Sequence, residues 1–122
     1  MRLVVTCLLL SLFVLFTSIP ARADWTSAEL LMHYRQGDRT TRELIEGMAS
    51  DNENGIKWAI AYIVAQKDLP PLYCPPKRVG LTGSQIIAIL EGAVKASPSI
   101  GNDPYGLGIL EALIETFPCR AP

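Results

Sequence analysis

Few residues in this chain are of a type that does chemistry. A hydrolase needs a nucleophile beside a positioned base, and the sequence holds a single histidine, His33. It falls between Met32 and Tyr34 in a helical pattern, where an imidazole is ordinarily packed or solvated. Glu111 and Glu115 stand one helical turn apart, a spacing that could mimic a paired-carboxylate site but more often forms a solvated face. Gly101, Gly106 and Gly108 read as turn and packing glycines rather than a phosphate-cradling loop. The expectation is a protein that is not an enzyme, with no catalytic residue, metal or cofactor.

The cysteines carry the remaining chemistry. Arg2, the apolar run Leu3 to Phe16 and the small-x-small pattern Ala21-Arg22-Ala23 read as a cleaved secretory signal over residues 1–23. The run is short for a membrane span and Pro20 breaks it, so no membrane association is expected after cleavage. Cys7 leaves with the signal, and Cys74 and Cys119 remain. A secreted chain with an even number of cysteines normally oxidises them. Closing a loop of 45 residues would stabilise the fold by roughly 4 kcal/mol at most. The alternatives are two free thiols or a metal pair, but His33 is the only further soft ligand.

The elements that must position these groups belong to residues 24–122, enough for one small domain. Without Arg2 and Arg22, nine basic residues face twelve acidic ones, a net charge of about −3. That balance lacks the basic stripe that nucleic acid requires. Thr26-Ser27-Ala28-Glu29 is a capping box, followed by Leu30, Leu31 and Tyr34 at helical spacing and stopped by Gly37, with Trp25 placed to staple this end to the core. Thr40 or Thr41 opens a second pattern with Leu44, Ile45, Met48 and Ala49 on one face. Asp51, Asn52, Asn54 and Gly55 weaken its centre, so either one long helix or two helices with a tight break are expected. Ile56 to Lys67, with Trp58, Tyr62 and Val64, is the most apolar part of the chain after the signal, and it is expected to be the central, most buried helix.

Pro70-Pro71 and Pro75-Pro76 make Asp68 to Gly80 a loop, with Lys77 and Arg78 a small solvated basic spot. Thr82 to Gln85 is a second capping box, and Ile86, Ile87, Ile89, Leu90 and Val94 form the stripe of a helix that Ser97-Pro98 ends. After the short link Ser99-Ile100-Gly101-Asn102, Asp103 is expected to cap an antiparallel helix with Pro104 in its first turn. Leu107, Ile109, Leu110, Leu113, Ile114 and Phe117 would form its buried side. No stretch alternates with period two over strand length. The predicted fold is all-α, a small bundle of four to five helices with one disulfide, Cys74 to Cys119.

A helical domain without a catalytic set acts by presenting a surface. Two loops are candidates: Pro70 to Gly83, stiffened by prolines and one end of the disulfide, and Ser97 to Asp103. In the second, Ile100 either contacts a partner as a hot spot or tucks back into its own core. Ile100, Gly101 and Asn102 are taken as the candidate contact residues.

The order of these features resembles a known family. A Trp-capped first helix, a helix containing Ala61-Tyr62-Ile63, then Tyr73-Cys74-Pro75, the helix start Leu81-Thr82-Gly83-Ser84-Gln85 and a closing Phe117-Pro118-Cys119 resemble the Rap/Tai immunity proteins of bacterial type VI secretion systems. The resemblance covers essentially all of residues 24–122. It implies a periplasmic helical inhibitor, often a homodimer, that occludes the active-site cleft of a peptidoglycan-degrading amidase effector and so protects the producing cell. Members often carry another cysteine pair; Tyr34 and Ala59 stand near those places here, and Ala61 replaces a glycine. The first helix is then expected to be held by packing alone. The alternative is a periplasmic acid-stress-type helical chaperone, which should be rich in acidic groups that titrate to expose apolar surface; the charged fraction here is modest at 19%.

Overall fold

The computed structural model describes residues 24–76 and 80–119; residues 1–23, expected to be a signal, and the Lys77-Arg78 pair lie outside them. The described residues form four α-helices: α1 (Ser27–Gln36), α2 (Arg39–Lys67), α3 (Gly83–Ala96) and α4 (Tyr105–Thr116), with a 3-10 turn at Pro98–Asn102 between the last two. The all-α bundle and its disulfide are as the sequence predicts.

Both capping boxes form. Thr26 Oγ1 accepts from the Glu29 amide while Glu29 Oε2 accepts from the Thr26 amide at 2.9 Å, and Thr82 and Gln85 repeat the exchange. Each satisfies donors that a helix start leaves orphaned. α2 begins earlier than predicted because Asp38, not a threonine, is its cap: its carboxylate accepts from the Thr41 amide at 2.8 Å. That bond holds the Asp38 carboxyl below its ordinary pKa, since it favours the charged form. Asn52 to Gly55 do not break the helix, which runs unbroken for 29 residues.

The core is formed by Leu30 and Leu31 of α1, Ile45 and Ala49 of α2, Ile86, Ile87, Leu90 and Ala93 of α3, and Ile109, Ala112 and Leu113 of α4. The central helix is therefore α3, not the distal half of α2. At about 1.5 Å per residue, α2 is about 43 Å long and α3 about 21 Å, so α2 outruns the elements that could cover it. Trp58 is 71% exposed and Tyr62 62%, which overturns their expected burial. Leu44 and Leu107 are likewise exposed, on sides that no helix covers.

Close backbone approach sets the packing. A Cβ on Gly83 would collide with the Glu46 carbonyl of α2, and one on Gly108 with the Ser27 hydroxyl. Only glycine lets α3 meet α2 and α4 meet α1 at these points. The start of α1 is pinned to the start of α4: the Ser27 amide donates to the Asp103 carbonyl at 2.8 Å and the Tyr105 amide to the Trp25 carbonyl at 2.9 Å. Asp103 is thus not the cap of α4. Pro104 occupies that position, with no side-chain cap bond. α1 is held by more than apolar packing. The Tyr34 hydroxyl donates to Glu46 Oε1 at 2.6 Å, linking α1 to α2, and Arg35 reaches Glu91 of α3. The bond to Glu46, with lesser help from burial, raises the Tyr34 pKa.

Candidate functional site

The loop after α2 is shaped by a left-handed residue. Asp68 has φ 51°, ψ 36°, a conformation that a short polar side chain tolerates better than most. Leu69-Pro70-Pro71-Leu72 then runs back without helix, as two prolines dictate. Tyr73 turns inward and is almost completely buried. Its hydroxyl meets Glu53 Oε1, and Lys57 Nζ binds the same oxygen at 2.8 Å from the solvent side. A carboxylate this buried is tolerated because it is paired and hydrogen-bonded.

Immediately after this anchor, the Cys74 amide donates to the Phe117 carbonyl at 2.8 Å, and Cys74 and Cys119 form the disulfide with Cα atoms 4.9 Å apart. The returning loop is therefore fastened three times within two residues: to α2 by a buried tyrosine, and to the end of α4 by a backbone hydrogen bond and a covalent bond. Leu69 and Leu72 project from this fastened segment into solvent, each about half exposed. An apolar side chain on a stiff, proline-rich loop loses little freedom on docking.

The other predicted loop behaves differently. Ile100 is 4% exposed and Gly101 is buried, with Ala28 and Val94 carbons 3.5 Å from the position of a Gly101 Cβ. Of the two readings of Ile100, the structure shows the inward one, because the 3-10 turn folds the link back over α1 and α3. Ile100 and Gly101 cannot reach a partner from this conformation; Asn102 alone of the three is exposed.

The residues singled out for chemistry lie on different helices, His33 on α1 and Glu111 and Glu115 on α4. His33 stacks on Trp25 with ring centroids 4.5 Å apart and is half-buried. Glu111 is half-buried and Glu115 exposed along α4. Among the described residues, no three His, Cys, Asp or Glu side chains gather where they could hold a metal ion, and no helix is long and apolar enough to cross a membrane.

Sequence reasoning missed the exposure of the large apolar residues on α2. Trp58 and Tyr62, one turn apart on one side of the helix, and Val64 on the other side are exposed in its distal part, as are Leu69 and Leu72 after its end. The signal was present: from Ile56 to Ala65 only Lys57 interrupts an apolar run, so the helix is apolar on every side. Such a helix needs covering all round, more than three shorter helices supply. A shallow apolar groove of about 480 Å³ between α3 and α4 was also not foreseen; Ala88, Ile89, Gly92 and Ala96 face Glu115 and Thr116 across it.

The chain matches no protein-family profile, no curated protein and no solved structure.

Proposed function

We propose that this is a periplasmic immunity protein that binds a cell-wall amidase effector of type VI secretion and occludes its active-site cleft, with no chemistry of its own. The observation that carries the reading is the fastening of Cys74-Pro75 to Phe117-Pro118-Cys119, the most specific of the motifs that carry the resemblance. A protein that works by standing in another's cleft needs a protrusion that does not yield. The Leu69 to Pro76 segment supplies one: prolines stiffen it, Tyr73 anchors it, and the disulfide holds its far end. Leu69 and Leu72 replace Ile100 as the apolar contacts we assign to the effector, with Asn102 as a lesser candidate.

The test is to mix the purified chain with cell-wall amidase effectors of type VI secretion and to follow peptidoglycan hydrolysis at neutral pH. Inhibition at one-to-one stoichiometry is expected, and Leu72→Asp should weaken it roughly tenfold or more without changing the melting temperature. Absence of both binding and inhibition would refute the reading. Protection of unrelated client proteins from aggregation, confined to acid, would point to the chaperone instead.

A further inference from the structure

The disulfide lies at the rim of the fold, while the groups that bring its two cysteines together lie deeper. Cys74 and Cys119 are both exposed. Cys74 follows Tyr73, which is buried and joined through its hydroxyl to Glu53 of α2. Cys119 stands two residues after Phe117, which packs against the core and whose amide closes the last turn of α4 on the Leu113 carbonyl. Between the two cysteines, the Cys74 amide donates to the Phe117 carbonyl. None of these contacts requires the sulfurs to be bonded. We propose that Cys74–Cys119 is a clasp that opens and closes on the folded protein, by direct exchange with a dithiol or disulfide partner.

Exposure decides the route. A buried disulfide meets a thiolate only when the chain around it unfolds, whereas an exposed one is attacked where it stands. In opening, a thiolate of a dithiol reductant attacks one cysteine sulfur, forming a mixed disulfide and releasing the other sulfur as a thiolate. The second thiolate of the reductant then displaces the first cysteine. The reductant leaves as its own disulfide, and the two electrons and two protons stay on Cys74 and Cys119. Closing runs the same exchange backwards, with a disulfide oxidant taking up the two electrons.

With the clasp open, Tyr73 still ties the loop to α2 and the Cys74 amide still meets Phe117. The change is therefore confined to the chain after Phe117, which loses its covalent tie. Two thiols kept together by contacts of their neighbours have a high effective concentration, so oxidation restores the same pairing without a search.

The test treats the full chain with dithiothreitol well below its melting temperature and traps the Cys74 and Cys119 thiols for mass analysis. No effector is present, so the outcome is independent of the proposed function. The rate of opening should rise in proportion to the reductant, with no plateau, and the trapped protein should keep its helical circular dichroism. Oxidised glutathione should then close the bond roughly tenfold or more faster in buffer than in concentrated urea. Tyr73→Ser should bring the closing rate in buffer down towards the rate in urea. A plateau at the rate of unfolding would overturn the proposal, as would loss of helical signal on reduction. Equal closing rates with and without urea, or an unchanged rate in Tyr73→Ser, would show that the buried neighbours do not hold the thiols together.

Discussion

The Tyr73 hydroxyl donates to Glu53 Oε1 at 3.4 Å, and both residues are 3% exposed. This contact joins the returning loop to the middle of α2, 20 residues earlier, before the disulfide secures it. Lys57 closes the outer side of the carboxylate, so the buried charge is held from two directions. The fastening of the candidate contact loop therefore begins with a polar pair inside the protein, not with the bond between the sulfurs.

That contact predicts an alkaline limit to stability. Burial, and secondly the Glu53 charge, push the Tyr73 pKa up to about 12 from its ordinary 10. The folded protein then holds a proton that the unfolded chain releases, so stability is complete below about pH 10 and falls as the pH rises from about 10 to 12. A rise from 10 to about 12 corresponds to a loss on the order of 2 to 3 kcal/mol. Denaturant unfolding at pH 8 and pH 11.5 should show a fall for the wild type that is clearly smaller for Tyr73→Phe. Equal falls would mean that Tyr73 is not the group responsible.

Reduction should loosen the same region. Cys74→Ser opens a loop of 45 residues and leaves the Cys74 amide bond to Phe117 as the remaining tie at that point. A loss of roughly 2 to 4 kcal/mol is expected, equivalent to a Tm lower by roughly 10 °C or more in a domain of this size. Calorimetry of the wild type with and without a thiol reductant checks it. Identical melting in both conditions would show that the disulfide contributes nothing to stability.

Two glycine-to-alanine substitutions should act in opposite directions. Gly108→Ala drives a methyl into Ser27 at the junction of α1 and α4 and should cost about 1 to 3 kcal/mol. Gly47→Ala, in mid-helix on α2 with nothing within 4 Å of its Cβ position, should instead gain about 0.5 to 1 kcal/mol from helix propensity. Thermal melts of the two variants beside the wild type decide the matter, and matching signs would contradict the packing described here.

Asn52 carries a cost that a substitution should remove. Its Oδ1 is buried without a hydrogen-bond partner among the described residues, beside Gly106 at the start of α4. Asn52→Leu keeps a similar volume and removes the unpaired oxygen, so unfolding should require about 1 kcal/mol more. A lower denaturant midpoint for the variant would show that the amide contributes a contact worth more than its desolvation.

Residues read without neighbours determined whatever depends on local bonding. Thr26 with Glu29, and Thr82 with Gln85, mark helix starts because hydroxyl and acid or amide reach the same orphaned amides wherever the helix goes. Gly37 and Ser97-Pro98 mark ends for equally local reasons, and the cysteine pair followed from the expected secreted context. Tertiary structure alone decided which apolar residues find a partner. Trp58 and Ile100 are both apolar in sequence, yet one is left in solvent because α2 outruns its neighbours and the other is drawn inside by a 3-10 turn between α3 and α4. Asp103 looked like a cap, but its carbonyl is taken by Ser27, 76 residues away, and the turn that results places Pro104 at the start of α4 instead. Hydrophobicity states what a side chain prefers; only the lengths and crossings of the helices settle whether that preference is met, and the surfaces left uncovered are those to which we assign the protein's partners.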